Sequence, residues 1–258
     1  MDFKNPVIIC GAHGGGTSIV TKALRLNGFF AGEDSGDIRN KRDAKGGSGY
    51  THESDAMVKI NCTVLKSFLP HTNDTEMMQL STWKFYLDVL KNPEAMATVF
   101  ENLCGAGLRA DRFHGGVNPS WGTVRLNESL EGFWGGEKKY SRPGGWKDPR
   151  NSATIPLWKL VFENPRMLFL ERPEKENRKH NSPSGRWFCE EFRGELKEHY
   201  YNPRFLEDED DVFSVYLEEM LKDLHTFNET MEWLGLKRLT IEEFKNLMKK
   251  ADVKYEKL

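Results

Sequence analysis

The segment that most constrains the fold lies near the start of the chain, PVIIC-GAHGGG-TSIVTKALRLNG, residues 6–28. Val7 to Cys10 is a short apolar, β-branched run between Pro6 and Gly11, which fits a buried parallel strand. From Thr17 to Leu26, residues Ile19, Val20, Ala23 and Leu24 fall on one side, as on a helix, and Gly28 ends it. Strand, glycine turn, helix is the setting of an anion-binding loop. Gly11, Gly14, Gly15 and Gly16 allow close backbone approach and positive φ, and Thr17 and Ser18 add hydroxyl donors at the positive end of the helix dipole. The plainer alternative is a tight strand-to-helix turn. A Walker loop needs Lys at position 17, where Thr17 stands. No convincing Walker-B strand follows either: MLFLE ends in Glu171, and Arg172 comes directly after it.

The remaining chain alternates in the way a parallel α/β sheet requires. Residues 32–50 read as a long glycine-rich, charged surface loop. Glu53 to Phe68 reads as a helix with Met57, Ile60, Val64, Leu65 and Phe68 on one face. Ser81 to Leu103 is helical with a break at Pro93, and Gly105 to Gly145 is a second loop rich in glycine and aromatics. Gly145 to Asp148 is a weak strand, Asn151 to Phe162 a helix, and Arg166 to Glu171 a strong strand. Pro173 to Gly185 is a charged loop. The tail is helical over Val212 to Leu234 and again from Thr240, which forms a capping-box pattern with Glu243. The acidic run Glu207 to Asp211 reads as a solvated loop and helix start.

The chain has 258 residues and a formal net charge of −2. That balance does not call for nucleic acid or an anionic membrane as a partner, so an anionic ligand must be met by local positive charge. There is no apolar run long enough to span a bilayer and no basic, apolar leader pattern. The four cysteines, Cys10, Cys62, Cys104 and Cys189, form no metal spacing and are expected as free, buried thiols. A cytoplasmic protein is the expectation.

Several stretches together resemble the sulfotransferase family, in its bacterial and viral branch, whose loop runs G-M-H-R-S-G-T-S before a helix. GAHGGGTSIVTKALRLNGFFAGE is similar to that opening. NKRDAKGGSGYTHESDAMVKINCTVL is similar to a segment with N, then G-Y-x-E, then a helix containing L-N. WKDPRNSATIPLW is similar to a K-D-P-R…L-P-x-W block, RMLFLERP to a strand ending in Arg before a proline, and MEWLGL to a terminal F-L-G-L. The resemblance implies a single domain over residues 1–258 with a three-layer α/β fold. That fold is a mainly parallel sheet with helices on both faces, P-loop NTPase-like. It also implies sulfuryl transfer from 3′-phosphoadenylyl sulfate (PAPS) as co-substrate to a hydroxyl or amine, with no metal.

Residue roles follow from the same resemblance. Gly14, Gly15, Gly16, Thr17 and Ser18 would bind the 5′-phosphate and sulfate. The family's loop Lys or Arg falls where Gly14 or Gly15 stands. His13 occupies the family's His position, either stabilising the loop or supplying part of that charge. Lys147, at the end of a strand where such folds bind ligands, is the candidate replacement cation. Arg150 could do the same or hold Asp148, and a purely structural Lys147–Asp148–Arg150 charge cluster is the competing reading. Glu53, at the glutamate of G-Y-x-E, is the first choice of base, with His52 second; the alternative is a helix-start carboxylate that complements the dipole. Arg172 falls at the family's 3′-phosphate Arg. Its serine partner is not matched: His180 stands there, Ser182 and Ser184 come later, and Arg178 could substitute.

The aromatics near Arg112, Trp121 and Trp134 suit a glycan acceptor or merely anchor a loop. The acceptor class is therefore a glycan or small molecule. Two other classes stay open: a nucleotide kinase with a degenerate P-loop, and a nucleotide-binding protein that has lost the chemistry.

Overall fold

The structure is a computed structural model that describes residues 5–11, 16–32, 38–42, 48–67, 93–110, 122–134, 143–148, 151–172 and 211–251. Four parallel strands form the central sheet: β1 (Val7–Gly11), β6 (Gly145–Lys147), β7 (Arg166–Glu171) and β8 (Val212–Tyr216), in the order β6-β1-β7-β8. Two short antiparallel pairs form separate sheets. One joins β2 (Ile38–Arg42) to β3 (Ser48–Ser54), the other β4 (Leu108–Ala110) to β5 (Gly122–Val124). The helices, in chain order, are α1 (Thr17–Leu26), α2 (Asp55–Ser67), α3 (Pro93–Cys104), α4 (Leu126–Trp134), α5 (Asn151–Val161), α6 (Leu217–Lys222), α7 (Leu224–Trp233) and α8 (Ile241–Lys250).

The period-2 geometry of the strands divides the core in two. Ile8 and Cys10 of β1, Trp146 of β6, and Met167 and Phe169 of β7 pack against α2, α3, α4 and α5. Val7 and Ile9, with Leu168, Leu170 and Val215, pack against α1, α6, α7 and α8. The sheet is thus the middle of three layers, with helices on both faces, as the sequence implies. The all-buried pattern of β1 is what a strand covered on both sides requires.

α1 has the predicted bounds. Its end is a Schellman motif: Phe29 N–H donates to Leu24 O and Gly28 N–H to Arg25 O, with Gly28 at φ 96°. Phe29 and Leu24 bury together beneath the motif. α8 carries the expected capping box between Thr240 and Glu243.

Four expectations are corrected. Residues 32–50 contain the β2 strand and the start of β3 rather than only loop. The helix expected from Glu53 begins at Asp55, so Glu53 lies at the end of β3. The 105–145 stretch holds β4, β5 and α4. Val212–Tyr216, expected as helix, is the fourth parallel strand. Its V-F-S-V-Y sequence is β-branched and aromatic, and register against β7 overrides the helical periodicity that follows it. Pro93 begins α3, where its missing N–H costs nothing, and residues 81–92, the expected helix before the break, lie outside the described residues.

Of the two described cysteines, both free, Cys10 is buried and Cys104 is exposed, which corrects the expectation for Cys104. Burial, with the Asp148 carboxylate nearby, pushes the Cys10 thiol well above its usual range. No helix among the described residues is long and apolar enough to cross a membrane.

Candidate active site

β1 and β6 are neighbours, yet the chain leaves them in opposite directions. α1, after β1, packs on one face of the sheet, and α5, after β6, on the other. The crevice at the carboxyl ends of two such strands is a topological switch point, where open α/β sheets bind ligands. The glycine loop leaves β1 here. Gly11 and Gly16 bracket it, whereas His13, Gly14 and Gly15 lie outside the described residues. Gly16 is the N-cap of α1 at φ 75°, and its carbonyl accepts from Ile19 N–H at 3.0 Å. A β-carbon on Gly16 would sit 2.3 Å from Leu217 Cδ2, so packing on α6 as well as backbone conformation demands glycine. Thr17 is buried and Ser18 half-buried in the first turn of α1, where backbone N–H groups face out of the helix end.

Lys147 closes β6. It pairs with Ile9 across the β1–β6 ladder, so its side chain leaves the sheet on the α1 side, opposite to Trp146. There its ammonium donates to Glu53 Oε1 at 2.9 Å, and the two side chains are only 2% and 11% exposed. The expected base and the expected cation therefore meet as a buried ion pair, although 94 residues separate them. The fully buried Asp148, the residue after Lys147 and a member of the competing charge cluster, accepts from Asn61 at 2.8 Å. Arg150 lies outside the described residues.

Asn61 sits at the centre of a buried polar cluster. Its Nδ2 donates to Asp148 Oδ2 and to Asn151 Oδ1, both at 2.8 Å. Its Oδ1 accepts from Thr154 Oγ1 at 2.7 Å and from Trp158 Nε1 at 3.1 Å. Asn151 also accepts from Trp146 Nε1 and donates to Ile9 O, which ties the start of α5 to β1. The cluster joins α2, which follows Glu53 directly, to the segment that follows Lys147 directly. Sequence reasoning assigned no role to Asn61, Asn151 or Thr154. The available signal was Asn61 four residues after Met57 and next to Ile60, a polar residue on the apolar face of a helix.

Arg172 stands at the end of β7 and donates from Nε to Glu218 Oε1 at 2.9 Å, in the first turn of α6. His52 is in β3, one residue before Glu53. Ser182, Ser184, Arg178 and His180 lie outside the described residues, as do Arg112 and Trp121. Trp134 packs with Phe30 and Phe133, with ring centroids 5.6 Å and 4.8 Å away, so this aromatic belongs to the core.

No protein-family model matches the chain, and no curated protein does. Among solved structures, the chain is similar to the sulfotransferase STF9 from Mycobacterium avium. The match has 15% identity, covers 100% of this chain and 70% of that one, and has a TM-score of 0.40. Likeness at that level says nothing about the reaction.

Proposed function

We propose that the chain transfers a sulfuryl group from PAPS to a hydroxyl or amine of a glycan or small-molecule acceptor. The observation that carries this reading is the meeting of Lys147 and Glu53 at the switch point, on the α1 side of the sheet. The loop and the first turn of α1 would hold the phosphosulfate through backbone N–H groups and the hydroxyls of Thr17 and Ser18. The acceptor oxygen attacks sulfur in line, forming the new S–O bond. The S–O bond to the bridging oxygen breaks, and its electron pair stays on the leaving adenosine 3′,5′-bisphosphate. Lys147 stabilises that developing charge, and Glu53 takes the acceptor's proton. Arg172 would meet the 3′-phosphate while sharing Glu218. The reaction as written needs no metal ion.

Calorimetry with adenosine 3′,5′-bisphosphate in the presence of a chelator tests the donor. Metal-independent binding is expected, whereas a degenerate kinase would prefer magnesium-ATP. No binding at millimolar ligand ends the sulfotransferase reading. Lys147→Met should lower kcat by roughly 10²–10³-fold, the usual cost of losing one donor to a developing anion. One observation favours a second reading, binding without transfer: glycine occupies positions 14 and 15, and Lys147, the candidate replacement cation, is held by Glu53. Bisphosphate binding without sulfation of any glycan, alcohol or amine in a broad panel would favour it.

A further inference from the structure

We propose that Glu53 and Lys147 work as one exchange unit. The anionic donor draws the Lys147 ammonium from Glu53, and only then is the carboxylate open to the acceptor's proton. This rests on the sulfuryl-transfer reading and adds an order of events to it: the donor arms the base. The closed state is on the page, with Nζ 2.9 Å from Oε1 and both side chains almost wholly shielded from water. A buried pair of this kind gains little net stability, because desolvation of the two charges offsets their attraction. Withdrawing the ammonium leaves the Glu53 carboxylate charged in a shielded position, a cost that the attraction of the polyanion for Lys147 must offset and that favours proton uptake by the carboxylate. Lysine suits the exchange, since its compact head carries three donors on a flexible stem.

The fold also provides for the moment of transfer. Asn61, two turns into the helix that follows Glu53, donates to Asp148, the residue after Lys147, at 2.8 Å. When the ammonium turns to the donor, this uncharged-to-charged clamp keeps α2 tied to the β6–α5 junction. The acceptor's proton then passes to a carboxylate no longer held by the lysine, and the ammonium already faces the leaving oxygen.

The proposal makes a prediction of unusual sign. Glu53→Gln should bind adenosine 3′,5′-bisphosphate about tenfold more tightly than wild type, a coupling of ordinary size, while losing turnover. In a Lys147→Met background the same substitution should change affinity less than about twofold, because the competition has been removed. Tightening of equal size in both backgrounds would mean simple charge repulsion and would overturn the exchange. Unchanged or weaker binding by Glu53→Gln would also overturn it while leaving the donor assignment intact, whereas no binding by wild type sinks both. A measurement on the unaltered protein guards against a variant that does not fold. Carbodiimide labelling of Glu53, mapped by mass spectrometry, should be slow in the free protein and accelerate severalfold with saturating bisphosphate; an unchanged or slower rate refutes the exchange.

Discussion

Replacing Asn61 with alanine tests whether the buried amide cluster holds the site's two halves together. Four hydrogen bonds disappear, one of them to the buried carboxylate of Asp148. A hydrogen bond to a charged group is worth about 1.5–3 kcal/mol, and a neutral one about 0.5–1.5. Part of the neutral loss is recovered. Trp158 Nε1 and Thr154 Oγ1 already lie 3.2 Å apart, and Asn151 Oδ1 keeps its donor from Trp146. The net cost is therefore about 3 kcal/mol, dominated by Asp148. In urea, with an m-value of about 3 kcal/mol/M for a chain of this size, the midpoint should fall by about 1 M. Tryptophan fluorescence reports it directly, since Trp146 and Trp158 belong to the cluster. Asn61→Asp has nearly the same shape but sets an oxygen against Asp148, so it should cost at least as much as alanine. The exchanged pair Asn61→Asp with Asp148→Asn restores a donor and an acceptor and should recover at least half the loss. A cost below about 1 kcal/mol for Asn61→Ala, or an aspartate milder than alanine, would refute the reasoning.

Two further outcomes follow from local geometry. Lys237, then the backbone and side chain of Thr240, hold the Glu243 carboxyl down to about 2, against an ordinary 4.5. A depressed acid contributes stability above its unfolded value and loses it as pH falls through the folded one. Protection of α8 in hydrogen exchange should therefore weaken between about pH 4.5 and 2, and Glu243→Gln should flatten that dependence. Gly16→Ala should cost about 2–3 kcal/mol in thermal or urea unfolding, from the left-handed backbone and the contact with Leu217. Gly28→Ala, also at positive φ but with open space around it, should cost only about 1 kcal/mol.

The sequence was most legible where one interaction dominates. α1 follows from its apolar stripe and β7 from its length and apolarity, and Lys147 fell at a strand end as expected. Val212–Tyr216 was misread because a short strand running straight into a helix shares its apolar residues with the helical pattern. The ion pair was half legible. Each partner was singled out, but their contact depends on a sheet edge that brings β3 to β6, which no local pattern encodes. Asn61, Asn151 and Thr154 were missed for a related reason. Periodicity treats a polar residue in an apolar stripe as a defect, whereas here three such residues complete one another.

β6 is only three residues long, and its alternation ties two requirements together. Trp146 must point into one layer of the core and Lys147 must emerge on the other side, facing α1. Inserting or deleting one residue before Trp146 would turn both side chains over at once, setting a tryptophan where the ammonium met Glu53 and burying the ammonium among aromatics. The strand therefore tolerates changes of length only in pairs. Any chain that keeps this core must keep the lysine position on the α1 side, whatever residue occupies it.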